Sequence, residues 1–179
     1  NPEKTMATHF EIDHVLPCAP EVFWSQIHNN ETFYHALYRE HLGFDFAIEA
    51  RDEATGACRT KMIPKIPAPD VVLRALGAKS AEDFAMTEDG RWNPERKRYE
   101  FRILTSLMPE RVDVKGIMEI RPAPEGKCVR HMEFDLDVKL FGVGKIVEAF
   151  VERSVRQSYD QSGAFTAQYL EKKRAEGAF

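Results

Sequence analysis

Six histidines are the first residues in this chain with a capacity for chemistry: His9, His14, His28, His35, His41 and His131. No two of them stand in the HExxH spacing, and none lies beside a cysteine, so the pattern predicts no metal site. His28 and His35 are seven apart, but Asn29-Asn30 breaks the chain between them. The three cysteines, Cys18, Cys58 and Cys128, are widely spaced and form no CxxC pair. They read as free thiols of a reducing compartment, not as a disulfide framework. There is no GxSxG elbow and no dinucleotide fingerprint. Gly142-Val143-Gly144-Lys145 lacks the remaining positions of a phosphate-binding loop and reads as a strand-to-helix turn. No cofactor is expected.

Acid–base chemistry then falls to few groups. His14 alternates with Phe10, Ile12 and Leu16, which places it on the apolar face of a strand. A neutral imidazole there either meets a ligand head group, acts as a base, or is a core histidine satisfied by a hydrogen bond. Tyr99 and Tyr159 are the next candidates if the chain is an enzyme. Arg59 and Lys61 share one strand face, and Lys145, Arg153 and Arg156 fall on a helix. Arg59, Lys61 and Arg153 are the candidates for contact with an anionic head group, the bland alternative being solvated surface charge. Ser154, Ser158 and Ser162 lie at i, i+4 and i+8, with Gly163-Ala164 following. Such a stripe either leaves space beside the helix or permits its close approach to a sheet.

The elements that must position these residues follow from periodicity. His9–Leu16 alternates as a half-buried strand. Pro20-Glu21 opens a short helix, and a second runs over 31–41 with Phe33, Leu37 and Tyr38 at helical spacing. After Gly43 the period becomes two. Strands are expected from Phe44 to Ile48, over 57–63, 84–92, 98–105 and 112–121, and from Val129 to Phe141. In the last of these Met132, Phe134, Leu136, Val138 and Leu140 alternate with His131, Glu133, Asp135, Asp137 and Lys139. A short apolar helix lies within 70–78, among Pro64, Pro67 and Pro69. From Lys145 to Lys173 there is no proline and a single glycine, which predicts one amphipathic helix of about eight turns. Hydrophobic residues make up 43%, charged residues 30%, and the net charge is -4. This is a globular balance that does not favour nucleic acid. No run approaches a membrane span, and the first residues carry no apolar leader, so the expected location is cytoplasmic. One domain is expected over 7–175, with 1–6 a disordered or appended N-terminus.

The order strand, two short helices, about six strands, long helix resembles the START-like (SRPBCC) helix-grip superfamily. The segment from Phe134 through Leu140-Phe141-Gly142-Val143-Gly144-Lys145 to Ala164-Phe165-Thr166 is similar to an uncharacterised bacterial branch of it. So are Gly56-Ala57-Cys58-Arg59-Thr60, Ile66-Pro67 and Leu76-Gly77. The resemblance implies an α+β fold, a curved antiparallel sheet of six or seven strands wrapped around the C-terminal helix, with a cavity between them. Trp92, Phe101, Met118, Met132, Phe134 and Leu136 would line that cavity from the sheet. Val147, Phe150, Val151, Ser154, Ser158 and Ser162 would line it from the helix. In layout the chain also resembles PRELI-type phospholipid-transfer proteins. That likeness implies a lid over 67–78, with Val71, Val72, Leu73 and Leu76, that touches a membrane transiently. The function these features imply first is carriage of a hydrophobic small molecule, above all a lipid. The alternatives are a cyclase- or hydratase-like enzyme using the same cavity, or a protein-interaction module with a filled core.

Overall fold

The computed structural model describes residues 7–179. The N-terminal segment expected to be disordered, 1–6, lies outside the described residues. Seven strands form one antiparallel sheet: β1 (Thr8–Leu16), β2 (Asp45–Asp52), β3 (Ala57–Ile63), β4 (Met86–Asn93), β5 (Arg98–Thr105), β6 (Val112–Ala123) and β7 (Lys127–Val138). Their order across the sheet is β1-β7-β6-β5-β4-β3-β2. Successive strands from β2 to β7 are neighbours, and β1 closes onto β7 at one edge. Helix α1 (Pro20–Phe23) opens on a proline at its first turn and widens into a π-type turn over Trp24–His28. Helix α2 (Glu31–His35) starts where the Asn30 side chain accepts from the Phe33 amide, and it widens over Ala36–His41. Helix α3 (Asp70–Leu76) stops at Gly77, whose φ of 70° closes the helix with a left-handed residue. Helix α4 (Gly144–Ala175) has 32 residues, about 48 Å of rise.

Register fixes which side chains face α4. Phe10 pairs with Phe134, Phe134 with Gly116, Gly116 with Phe101, and Phe101 with Gly90. Because side chains alternate along each strand, this row assigns the inner face of five strands at once. Phe10 and Phe134 stack with centroids 5.0 Å apart, and Leu16, Leu136 and Cys128 have no exposed surface. Each buried apolar side chain of this size contributes roughly 1.5–3 kcal/mol. The glycines in the row have a steric reason: a Cβ on Gly116 would lie 2.2 Å from Phe101 Cζ, and one on Gly90 would lie 1.9 Å from the Tyr99 hydroxyl. Both rings lie flat across the neighbouring strands.

Two boundaries differ from the expected ones by more than two residues. β2 continues through a bulge between Ile48 and Ala50, which shifts the phase and brings Arg51 into register with the inner-face Cys58. β7 ends at Val138, not Phe141: Leu140 N bonds back to Val138 O, and Phe141 is fully exposed. The turn 139–143 uses Gly142 at a φ of +76°, and Gly144 packs so closely on the Val138 carbonyl that a Cβ would lie 2.5 Å from it.

Helix α4 packs on β1 and β7 and touches α3. Its first turn is latched by Glu148, 1% exposed, whose Oε1 accepts from Val138 N at 3.0 Å. Its Oε2 accepts from Thr8 Oγ1 at 2.5 Å and from Lys145 Nζ at 2.6 Å. Burial alone would raise the Glu148 pKa, but these hydrogen bonds hold it below the ordinary value. At the other end Ser162, Gly163, Thr166 and Leu170 are buried. Between the two, Val151, Ser154, Val155, Ser158 and Tyr159 are only half-buried although they face the sheet.

Candidate functional site

The half-buried middle of α4 stands over a cavity. The larger chamber has a volume of about 180 Å³. It is walled by Val147, Val151, Ser154 and Ser158 of α4, by Val112, Val114 and Phe134 of the sheet, and by Leu76 of α3. A smaller chamber of about 60 Å³ adjoins it, walled by Phe101, Met118, Met132, Arg130, Ser162 and the aromatic residues of α1 and α2. Tyr38, Glu88 and Tyr159 line both chambers and mark their junction. The cavity is thus apolar at one end and polar at the other.

Strands and helices together supply the polar end. Glu88 is an inner-face residue of β4, aligned with Thr60 and Ile103. Burial raises its pKa from 4.5 to about 7, the neighbouring Asp89 adds to this, and a hydrogen bond with Tyr99 opposes it. Tyr34, Tyr38 and Tyr159 have their phenol pKa values raised, first by burial. Tyr34 Oη meets His28 Nδ1 at 3.2 Å. Burial, and then Arg51, lowers the His28 pKa to about 4, so its ring is neutral. Within the described residues no hydrogen bond engages the Tyr38 or Tyr159 hydroxyl, and both remain available to a ligand. The wide turns after α1 and α2 hold His28 and Tyr38 in this wall; such turns concentrate at functional sites.

Arg130 of β7 is 5% exposed and reaches across to β1 and α4. Its Nη1 donates to Ser162 Oγ at 3.2 Å, and its Nη2 donates to His14 Nδ1 at 3.2 Å and to the Tyr159 carbonyl at 3.3 Å. Arg130 can only donate, so His14 Nδ1 accepts, and its Nε2–H donates to Asp160 Oδ1 at 3.0 Å. Burial, then Arg130, lowers the His14 pKa, which keeps the ring in this neutral form. The ring lies flat on Gly163, where a Cβ would sit 2.7 Å from His14 Cδ2.

The expected site residues divide accordingly. Phe101, Met118, Met132 and Ser162 line the smaller chamber; Phe134, Val147, Phe150, Val151, Ser154 and Ser158 line the larger one. Leu136 lies in closed core with no exposure. Trp92 lies edge-on to Trp24 at 4.8 Å and lines an outer groove under the 52–57 turn, not the cavity. Among the acid–base candidates, Tyr99 and Tyr159 face the cavity, while His14 stands behind Arg130 with both nitrogens engaged. Of the lid residues, Val72 and Leu76 are buried, Leu73 is half-buried and Val71 is 38% exposed, so α3 is seated over the larger chamber. The head-group candidates require correction. Thr60 is the inward residue of β3, so Arg59 and Lys61 point outward; Arg59 Nε pairs with Asp89 at 2.6 Å, and Lys61 and Arg153 are exposed to solvent. The broad concavity that holds Arg59 is on the solvent face of the sheet, where Glu100 and Asp113 also pair with basic neighbours.

Arg130 and Glu88 are inner charges of the cavity wall that the sequence does not single out. The phase of β7 carried a signal for the first, since Arg130 stands in step with Met132 and Phe134. The run Thr87-Glu88-Asp89 hides the phase of β4. Cys18 and Cys128, 110 positions apart, are brought to 3.9 Å as buried free thiols. Among the described residues, no helix is long and apolar enough to cross a membrane.

Comparison with solved structures yields close agreement in fold at low identity. The Zhui aromatase/cyclase from Streptomyces sp. R1128 matches with a TM-score of 0.64 at 10% identity, over 93% of this chain and 95% of its own. TTHA0849 from Thermus thermophilus matches with a TM-score of 0.63 at 11% identity, over 92% and 98%. No curated protein matches the sequence. The α+β helix-grip architecture expected from the order of elements is therefore the observed one. Residues 11–170 match the family described as "Protein of unknown function (DUF2505)", and the chain belongs to that family.

Proposed function

We propose that this chain binds a small hydrophobic molecule between sheet and helix, its apolar body beneath α4 and an oxygen-bearing end at the Tyr38–Glu88–Tyr159 junction. One observation carries this reading: α4 is buried at both ends and half-buried over a chamber of about 180 Å³. Interiors normally fill such space, and a void of this size with an apolar wall is the exception. A cavity of about 150 Å³ takes up benzene. The chamber therefore suits one ring or a chain of roughly six to eight carbons. Burial at about 0.8 kcal/mol per methylene would supply most of the affinity. A lipid ligand would be a single short acyl chain, and a longer one would require α3 to swing away, lifting its Val72 and Leu76 from the core. The exposed Val71 is the residue that such an opened lid would present to a membrane. Free thiols fit a reducing compartment, the cytoplasm.

Native mass spectrometry of the gently purified chain tests the proposal. Adducts of small-molecule mass are expected, or their uptake from lipid vesicles. A chain that stays bare in both experiments refutes it.

A second reading, a cyclase- or hydratase-like enzyme, is favoured by Glu88 alone. A carboxyl with a pKa near 7 inside an apolar cavity is poised for proton transfer. Loss of turnover with retained ligand binding in Glu88→Gln would separate enzyme from carrier.

A further inference from the structure

Arg130 is a buried cation that pairs with no anion among the described residues. Its hydrogen-bond partners are Ser162 Oγ, His14 Nδ1 and the Tyr159 carbonyl, all neutral. The Tyr159 ring, 5.4 Å from its guanidinium carbon, adds a cation–π contact. No carboxylate forms an ion pair with it among the described residues, and its Nε is buried with no hydrogen-bond partner. Removing a charged donor from water without an anion is unfavourable, and leaving one of its N–H groups unmade adds to that. The neutral partners fix the orientation of the guanidinium but do not neutralise it. The carboxyl that shares its chamber, Glu88, has its pKa raised by burial to about 7, so it is neutral at pH 6.

The same wall offers two unused donors, the hydroxyls of Tyr38 and Tyr159. An unpaired guanidinium N–H, two phenol donors and an adjoining apolar chamber are together complementary to an amphipathic anion. A carboxylate has the acceptor geometry for this set, because one oxygen can take the Nε–H and the other a phenol.

We propose that the ligand of this cavity is a small monocarboxylate, a medium-chain or aryl acid, and that Arg130 Nε is its anchor. The proposal rests on the cavity-binding reading above and adds the head group. His14 is a positioning residue in it: it holds Nη2 through Nδ1 and is held in turn by Asp160.

The test uses the whole chain at pH 6, where Glu88 holds its proton and octanoate is ionised, with octanoate and octan-1-ol as probes, whose chains match and whose heads differ. Binding is followed by calorimetry and by the ¹⁵N-detected arginine Nε–H resonances. The expected result is binding of octanoate at least roughly tenfold tighter than of octan-1-ol, with the Arg130 Nε–H shifting on octanoate alone. Arg130→Gln is expected to abolish that preference while leaving octan-1-ol affinity within about threefold. Equal affinity for acid and alcohol in the unaltered chain overturns this inference but leaves cavity binding standing. If neither probe binds, both readings fall. A preference that survives in Arg130→Gln, or an unmoved Nε–H resonance, shows that Arg130 is only a structural clamp. The unaltered chain decides the question even if the variant does not fold.

Discussion

Glu88 makes stability itself a probe of the cavity. In the folded chain its pKa is raised from 4.5 to about 7. Below pH 4.5 both folded and unfolded chains hold the proton, and there is no difference. Between pH 4.5 and 7 the folded chain retains a proton that the unfolded chain releases, so stability falls as pH rises. Above pH 7 both are ionised and the deficit is constant, at about 3 kcal/mol from the size of the shift. Glu88→Gln removes the titration while keeping an acceptor for Tyr99. Urea unfolding of both proteins at pH 5 and pH 8 gives four free energies. Between those two conditions the variant is expected to gain about 2–3 kcal/mol relative to the unaltered chain. His28, His14 and His131 titrate identically in both proteins and cancel from the comparison. A relative gain below about 0.5 kcal/mol would show that Glu88 is solvated, and that the polar end is not the enclosed wall described here.

Four further outcomes are expected. Glu148→Ala leaves Val138 N–H and the Thr8 hydroxyl without their acceptor and should destabilise by about 2–4 kcal/mol in denaturant titration; a loss below about 1 kcal/mol would mean that α4 does not need this latch. Gly90→Ala places a Cβ on the Tyr99 hydroxyl, so a loss of about 2 kcal/mol or more and a perturbed tyrosine absorbance are expected, and a neutral variant would refute the ring placement. Leu76→Ala unseats α3, lowering stability by about 2–5 kcal/mol and increasing amide exchange over 70–78; unchanged exchange there counts against α3 as a cover. Ser158→Leu fills the larger chamber, and ligand uptake should vanish with stability changed by less than about 1 kcal/mol, whereas retained uptake would put the ligand elsewhere.

Periodicity was enough for the elements because each has one wet and one dry face. The strand 57–63 and the strand 98–105 begin and end where turn residues predict. The long helix was readable from its lack of proline. Side-chain direction was harder. Arg59 and Lys61 do share a face, but only the pairing of Thr60 with Ile48 and Glu88 shows that this face is the outer one. Arg51 turns inward through a bulge that alternation cannot register. Arg130 was visible in phase, yet composition argues against a buried arginine, and only its neutral cage explains how the sheet tolerates it. The serine stripe proved to be divided. Ser154 and Ser158 border the larger chamber, whereas Ser162, in the wall of the smaller one, accepts a hydrogen bond from Arg130, and its neighbour Gly163 seats a ring.

Helix α4 is held like a beam on two supports, by Glu148 and Val147 near one end and by Ser162 to Leu170 near the other, with an unloaded span between. On that span Val151, Ser154, Val155, Ser158 and Tyr159 border the chamber. Substitutions there alter the shape and polarity of the space while the supports carry the fold. In the binding mode proposed above, ligand choice is thereby separable from folding: a few residues of one helix shape the space, with little effect on whether the chain stands.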